Sequence, residues 1–262
     1  MKFSRLSRFT AIAFIGLVAA FLAAPMIVVV VFAFDSSARL ALPYGGISLR
    51  WFRSAFANSM ITQALWQSIK VGLSVGVMSI VLGYAGARIM IGRSRIKRFM
   101  VLLSSAPSMF PSLLMALGFA IALHDLNLAQ GTFATIVGQT IVALPFATVV
   151  VLGRLRALDP SLADASRDLG ASEWTTLRRV TFPLLRGALI AAGCFAMAIS
   201  FDEFIIAFYS SGSSPTMPVV LWGLLRSTID PTSNAVATVI LVLCSVPVFV
   251  AVVGLGRDVE RM

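Results

Sequence analysis

Residues 158–183 read LDPSLADASRDLGASEWTTLRRVTFP, a polar and charged run set between long apolar stretches. Its local signals are those of two short helices joined by a sharp turn. Pro160 suits a first helical turn, and Asp159 is placed to cap it. That helix is predicted to end near Leu169, where Gly170 permits a positive φ and an abrupt change of direction. Ser172 is placed to cap a second helix, with Glu173 favourable in its first turn. This helix is predicted to carry Trp174, Leu177, Arg178 and Val180 as far as Phe182-Pro183. Two short helices at an angle make a rigid knob. A polar knob on an otherwise apolar chain is a docking device, and it implies a soluble partner that drives the chain.

The rest of the composition agrees. The chain has 262 residues, of which 58% are hydrophobic and 12% charged, whereas soluble domains carry about 25% charged residues. This is the composition of a polytopic membrane protein. Six stretches reach the ~20 apolar residues that a helix needs to span hydrocarbon: 10–34, 64–90, 99–123, 133–153, 188–208 and 235–256. The first has a basic flank (Lys2, Arg5, Arg8), but its apolar run is longer than a signal peptide's and five more spans follow, so it reads as a retained helix.

The net charge of +10 does not point to nucleic acid, because the cations sit in short loops on one side. Loops containing residues 2–8, 88–98, 154–186 and 257–261 hold sixteen Lys and Arg, against four (Arg39, Arg50, Arg53, Arg226) in the alternate loops. Lys70 lies within a span and can snorkel outward. By the positive-inside rule both termini and the knob are expected on the cytoplasmic side.

Catalytic chemistry finds little support. Cys194 and Cys244 lie in apolar runs and read as small buried residues. One histidine, His124, and two membrane cysteines do not make an ordinary zinc site. The lysines, Lys2, Lys70 and Lys97, lie outside any Gly-rich phosphate loop, so the chain is not its own ATPase. A membrane enzyme would lack a nucleophile–base or metal set, and a passive channel would have no use for the knob.

The knob resembles the "EAA" loop of ABC-importer permeases, whose pattern is Glu-Ala-Ala, three residues, Gly, nine residues, Ile-x-Leu-Pro. Asp164 takes the Glu place, Ala165 and Ser166 the Ala places, and Gly170 the Gly place. Val180, Phe182 and Pro183 take the Ile, Leu and Pro places, with no gap. The resemblance implies an all-α fold of six transmembrane helices, the type I ABC-importer permease fold, over a single domain 1–262 with a cytoplasmic coupling loop at 154–187. It further implies that Asp164, Ala165, Ser166, Gly170, Trp174, Leu177, Val180 and Pro183 couple the chain to a cytoplasmic ABC ATPase dimer. ATP is then used by that partner, and this chain binds no cofactor or metal. Asp164 is one methylene shorter than the usual Glu, so an ion pair with the ATPase would need a closer approach.

A second constellation lies in the fifth span. The run Ile199-Ser200-Phe201-Asp202-Glu203-Phe204-Ile205 places two carboxylates in an apolar helix, where a central Asp costs about 2.5–3.5 kcal/mol on insertion scales. Such residues face a bundle interior or a watery path. Neighbours on a helix point about 100° apart, so one is expected to line the path while the other bonds a neighbouring helix. With Phe201, Phe204 and Tyr209 the pair would hold an amine by charge and cation–π attraction. An alternative is a purely structural hydrogen-bonding pair.

The stretch SFDEFIIAFYSSG, with Pro218-Val219-Val220-Leu221-Trp222-Gly223 and Pro231-Thr232-Ser233-Asn234-Ala235, is similar to permeases of the spermidine/putrescine type. That implies polyamine uptake at a bacterial inner membrane, with a second homologous permease, a periplasmic solute-binding protein and membrane lipid as partners. Opines, aminophosphonates and iron are alternatives within the same transporter class.

Smaller signals complete the reading. Ser48–Arg53 mixes aromatics and arginines as an interfacial helix does, and 217–226, MPVVLWGLLR, is apolar but too short to span. Both suit membrane anchoring or partner docking. Gly72 and Gly76 give the second span a small-residue stripe for close helix packing. Gln67, Gln139 and Thr140 are polar groups within spans that suit interhelical bonding or path lining.

Overall fold

A computed structural model describes residues 5–37, 44–91, 99, 101–102, 106–107, 109–227 and 231–259. Among them the chain is helical, with a single isolated antiparallel bridge, Asp35 to Ile47. Helices satisfy every backbone group internally, which a spanning segment in hydrocarbon requires.

The helices, in order, are α1 (Arg5–Ala33), α2 (Arg50–Ala57), α3 (Ser59–Ile91), α4 (Ser112–Asp125), α5 (Thr132–Ala157), α6 (Ser161–Asp168) and α7 (Glu173–Thr176). A π-helical turn, Leu177–Thr181, leads into α8 (Phe182–Asp202), followed by α9 (Ile205–Ser210), α10 (Met217–Ser227) and α11 (Thr232–Val259). Five are long and apolar enough to cross a membrane: Thr10–Ala33, Ser59–Ile91, Thr132–Ala157, Glu173–Asp202 and Thr232–Val253. The expected third span, 99–123, lies partly outside the described residues. Its described helix is the 14-residue α4, preceded by Pro111.

The chain groups into two units. The first comprises Met1–Thr62 and Leu221–Val239. Here Trp51 of α2 is 7% exposed and packs with Ala33 and Ala235, while its Nε1 donates to the Asp35 carbonyl at 2.7 Å. The aromatic–arginine run at 48–53 thus anchors a local core through Trp51. Asp35 is buried but well partnered. It accepts from the Ser37 amide (3.0 Å), the Ser37 hydroxyl (2.7 Å) and the Gly45 amide (2.9 Å). The Ser37 amide is the main reason its carboxyl is held below the usual range.

The second unit comprises Gln63–Val220 and Ile240–Met262. Its core is the seam between α5 and α8, where Ala147, Val151 and Leu155 meet Leu185, Leu189 and Ala192, joined by Ala87 of α3. Val71 and Val75 of α3 extend it with Ala143 and Ala196. The glycine stripe belongs here. A Cβ on Gly76 would stand 2.7 Å from Met197 Cγ and 3.1 Å from the Gly193 carbonyl, and one on Gly72 would stand 2.6 Å from the Phe201 ring. Small residues therefore let α3 and α8 approach backbone to backbone within this chain.

Candidate functional site

The knob is built as its sequence suggests up to the second helix. Asp159 Oδ1 accepts from the Ser161 amide at 2.9 Å at the start of α6, and that bond leads the causes that hold its carboxyl low. Gly170 adopts φ +80° in open space, and its amide donates to the Arg167 carbonyl at 2.8 Å. Ser172 caps α7, accepting from the Thr175 amide at 3.2 Å.

Two side-chain links cross the turn and fix the angle. Ser166 Oγ and Thr176 Oγ1 lie 2.9 Å apart. Arg167 reaches Asp164 at 2.7 Å and Glu173 at 3.4 Å. Asp164 thus has a partner within its own chain. Ala165 sits on the exposed side of α6. Trp174 is 68% exposed and Leu169, at the tip beside Gly170, is 88% exposed. Leu177 and Val180 are half-buried. Leu169 was not among the sequence candidates, though its place before the turn glycine marks it.

The second helix does not stop at Phe182-Pro183, as the sequence suggested. It runs on from Glu173 to Asp202. Pro183 lacks an N–H and its ring clashes with the carbonyl four residues back in a straight α-helix. The chain answers with the π turn, in which the Phe182 amide reaches the Leu177 carbonyl five residues earlier. At the base, Arg154 Nε of α5 donates to the Leu184 carbonyl at 3.3 Å.

At the far end of this helix lies the acidic pair. The expected span 188–208 is broken there. α8 ends at Asp202 and α9 begins at Ile205. Glu203 Oε1 accepts from the Ile206 amide at 3.0 Å, capping α9. Gln139, fully buried in α5, spans the break: it accepts from Ser200 Oγ at 2.5 Å and donates through Nε2 to the Glu203 carbonyl at 3.2 Å. Each such bond contributes on the order of 1 kcal/mol net, and a buried group left unmet costs about 1–3 kcal/mol. Gln67 likewise acts as a link, to Thr132 Oγ1 at 2.7 Å, and Thr140 bonds back to the Ile136 carbonyl.

The pair is therefore split in role. Glu203 is committed to the break, and Asp202 is exposed. Phe201 is 4% exposed and packs on Gly72. Phe204 and Tyr209 are half-buried and joined by Phe208, absent from the sequence candidates: Phe204 to Phe208 is 5.5 Å and Phe208 to Tyr209 is 5.2 Å between ring centroids. Among the described residues no cluster of His, Cys, Asp and Glu could hold a metal ion.

The profile of the family described as "Binding-protein-dependent transport system inner membrane component" matches residues 77–261. The spermidine/putrescine transport system permease protein PotC of Haemophilus influenzae is 28% identical over 233 residues, covering 88% of this chain and 90% of that protein. The putrescine transport system permease protein PotI of Escherichia coli is 27% identical over 240 residues, covering 88% and 85%. Among solved structures, a chain of a bacterial ABC transporter involved in import of the acidic polysaccharide alginate superposes with a TM-score of 0.69 at 16% identity, covering 98% of this chain and 99% of that one.

Proposed function

Because this chain belongs to the family of binding-protein-dependent transport system inner membrane components, we propose that it carries small polyamines such as putrescine or spermidine into the cytoplasm. The chain is a polytopic permease subunit of an ABC importer in the bacterial inner membrane, and a transport subunit rather than an enzyme. In the proposed assembly the whole chain 1–262 acts as one permease domain beside a homologous second permease. A periplasmic binding protein delivers the solute, and a cytoplasmic ATPase dimer hydrolyses ATP. This chain holds no cofactor of its own. Both termini and the knob lie in the cytoplasm.

The observation that carries the substrate is the exposed Asp202 at a helix break, followed in sequence by half-buried Phe204 and Tyr209. A carboxylate with aromatic neighbours attracts an ammonium group. The similarity to polyamine permeases over most of the chain supports the same reading. At the other end, Asp164, Ala165, Ser166 and Gly170 shape the knob. Trp174, Leu177 and Val180 give its apolar surface, and Pro183 sets the joint to the span.

Labelled putrescine uptake into vesicles carrying the complete complex tests this. Asp202→Asn is expected to lower uptake at least tenfold with assembly and ATPase activity intact. Glu203→Gln, whose amide oxygen still accepts the Ile206 amide, is expected to keep most of it. Equal uptake in wild type and Asp202→Asn would make the pair structural. No uptake in wild type would leave the permease class standing and discard the polyamine.

A further inference from the structure

We propose that the cleft between the end of α3 and the start of the Glu173–Asp202 helix holds one anionic phospholipid. Its inner part is walled mostly by carbon, from Ile80, Val81, Tyr84, Leu177 and Phe182, with Arg178 also in its lining. Past Tyr84 and Leu177 it opens into a part lined by Arg88, Arg167 and Glu173. An apolar slot leading into a charged mouth repeats the order of groups along a phospholipid.

The mouth has a cation to offer. Arg167 is engaged by Asp164 and Glu173. Asp159 and Asp164, which share a neighbouring cleft with Arg88, are taken up by the Ser161 amide and by Arg167. Arg88 is exposed and, among the described residues, makes no ion pair. Arg178, in the lining of the apolar part, is likewise exposed and makes no ion pair among the described residues. That surplus favours a net negative headgroup over a zwitterionic one.

Depth agrees with the assignment. α3 has 33 residues, about 50 Å at 1.5 Å each, against a hydrocarbon core of about 30 Å. Its last turns, with Tyr84 and Arg88, therefore reach the headgroup layer. Aromatic rings with a polar edge concentrate there, and Trp174 stands at the rim.

The complete transporter, permease pair with ATPase subunits, is purified in mild detergent and its retained lipids are read by native mass spectrometry. It is then exchanged against phosphatidylglycerol, phosphatidylethanolamine and phosphatidylcholine. The expected result is about one phosphatidylglycerol per copy of this chain, preferred about tenfold, as one charge-assisted contact supplies. Arg88→Gln should abolish the preference and Arg88→Lys should keep it. Val81→Trp, which fills the apolar part, should expel the lipid with Arg88 intact. Glycerol phosphate, a headgroup without chains, should not compete. Three conditions would overturn the assignment: equal retention of the three lipids, retention unchanged in Arg88→Gln, or phosphatidylglycerol bound to the permease pair but displaced by the ATPase subunits.

Discussion

Gly170 and Gln139 show two different ways in which a single residue controls this chain. Gly170 has φ +80° with nothing near a would-be Cβ, so its constraint is conformational and not steric. Asn, which tolerates the left-handed region, is expected to support normal uptake. Pro would fix φ near −65° and delete the 2.8 Å bond from the Gly170 amide to the Arg167 carbonyl. Gly170→Pro is expected to leave ATP hydrolysis in the assembled complex while uptake falls at least tenfold, read by parallel ATPase and transport assays. Normal uptake in that variant would remove the coupling role. Gln139 works by partners instead. It is legible in the sequence as a polar group within a span, but its two partners lie more than sixty residues away, beyond any local pattern.

At the scale of helices, the contact of α3 with α8 depends on small residues at one crossing. Gly76→Val is expected to destabilise the purified permease by about 1–3 kcal/mol, the usual cost of overpacking, because the Gly193 carbonyl at 3.1 Å is backbone and cannot swing away. Gly118→Val, in α4 with nothing within 4 Å, is expected to stay within about 0.5 kcal/mol. Thermal unfolding of the two variants side by side checks the contrast, and equal losses would refute it. Five of the six expected spans, the knob's first helix, its turn and its Ser172 cap were legible, because hydropathy and capping are local signals. Two joints were not. Phe182-Pro183 reads as a stop, yet a π turn absorbs the proline and the helix continues. Ser200 to Ile205 reads as continuous, with no Gly or Pro, yet the helix breaks where Glu203 caps the next one and Gln139 braces the gap. Both joints are settled by bonding geometry that hydropathy does not encode.

For the molecule as a whole, exposure is as informative as burial. The apolar window of α1 buries nothing within the chain, and Phe14, Phe21 and Leu22 are each more than 60% exposed. Soluble monomers do not carry apolar surface on that scale; lipid or partner subunits complete it. The proposed topology puts the knob and the acidic pair on opposite faces of the bilayer. With Cys194 and Cys244 replaced, Ser213→Cys is expected to react with an impermeant maleimide in intact spheroplasts, and Ser161→Cys only after permeabilisation. Both positions are exposed, so the contrast reports sidedness. The reverse pattern would invert the proposed topology.

The unbroken helix from Glu173 to Asp202 has a mechanical meaning. A loop between knob and span would act as a slack joint and dissipate any torque. A single rod about 45 Å long works as a crankshaft, so a twist applied at Glu173 arrives at Asp202 with no lost motion. The π turn sets the phase of that shaft, since one inserted residue offsets everything beyond it by about 100°. In the proposed transporter, opening at one membrane face and grip at the other are then timed by the cut of one component, with no message to relay between them.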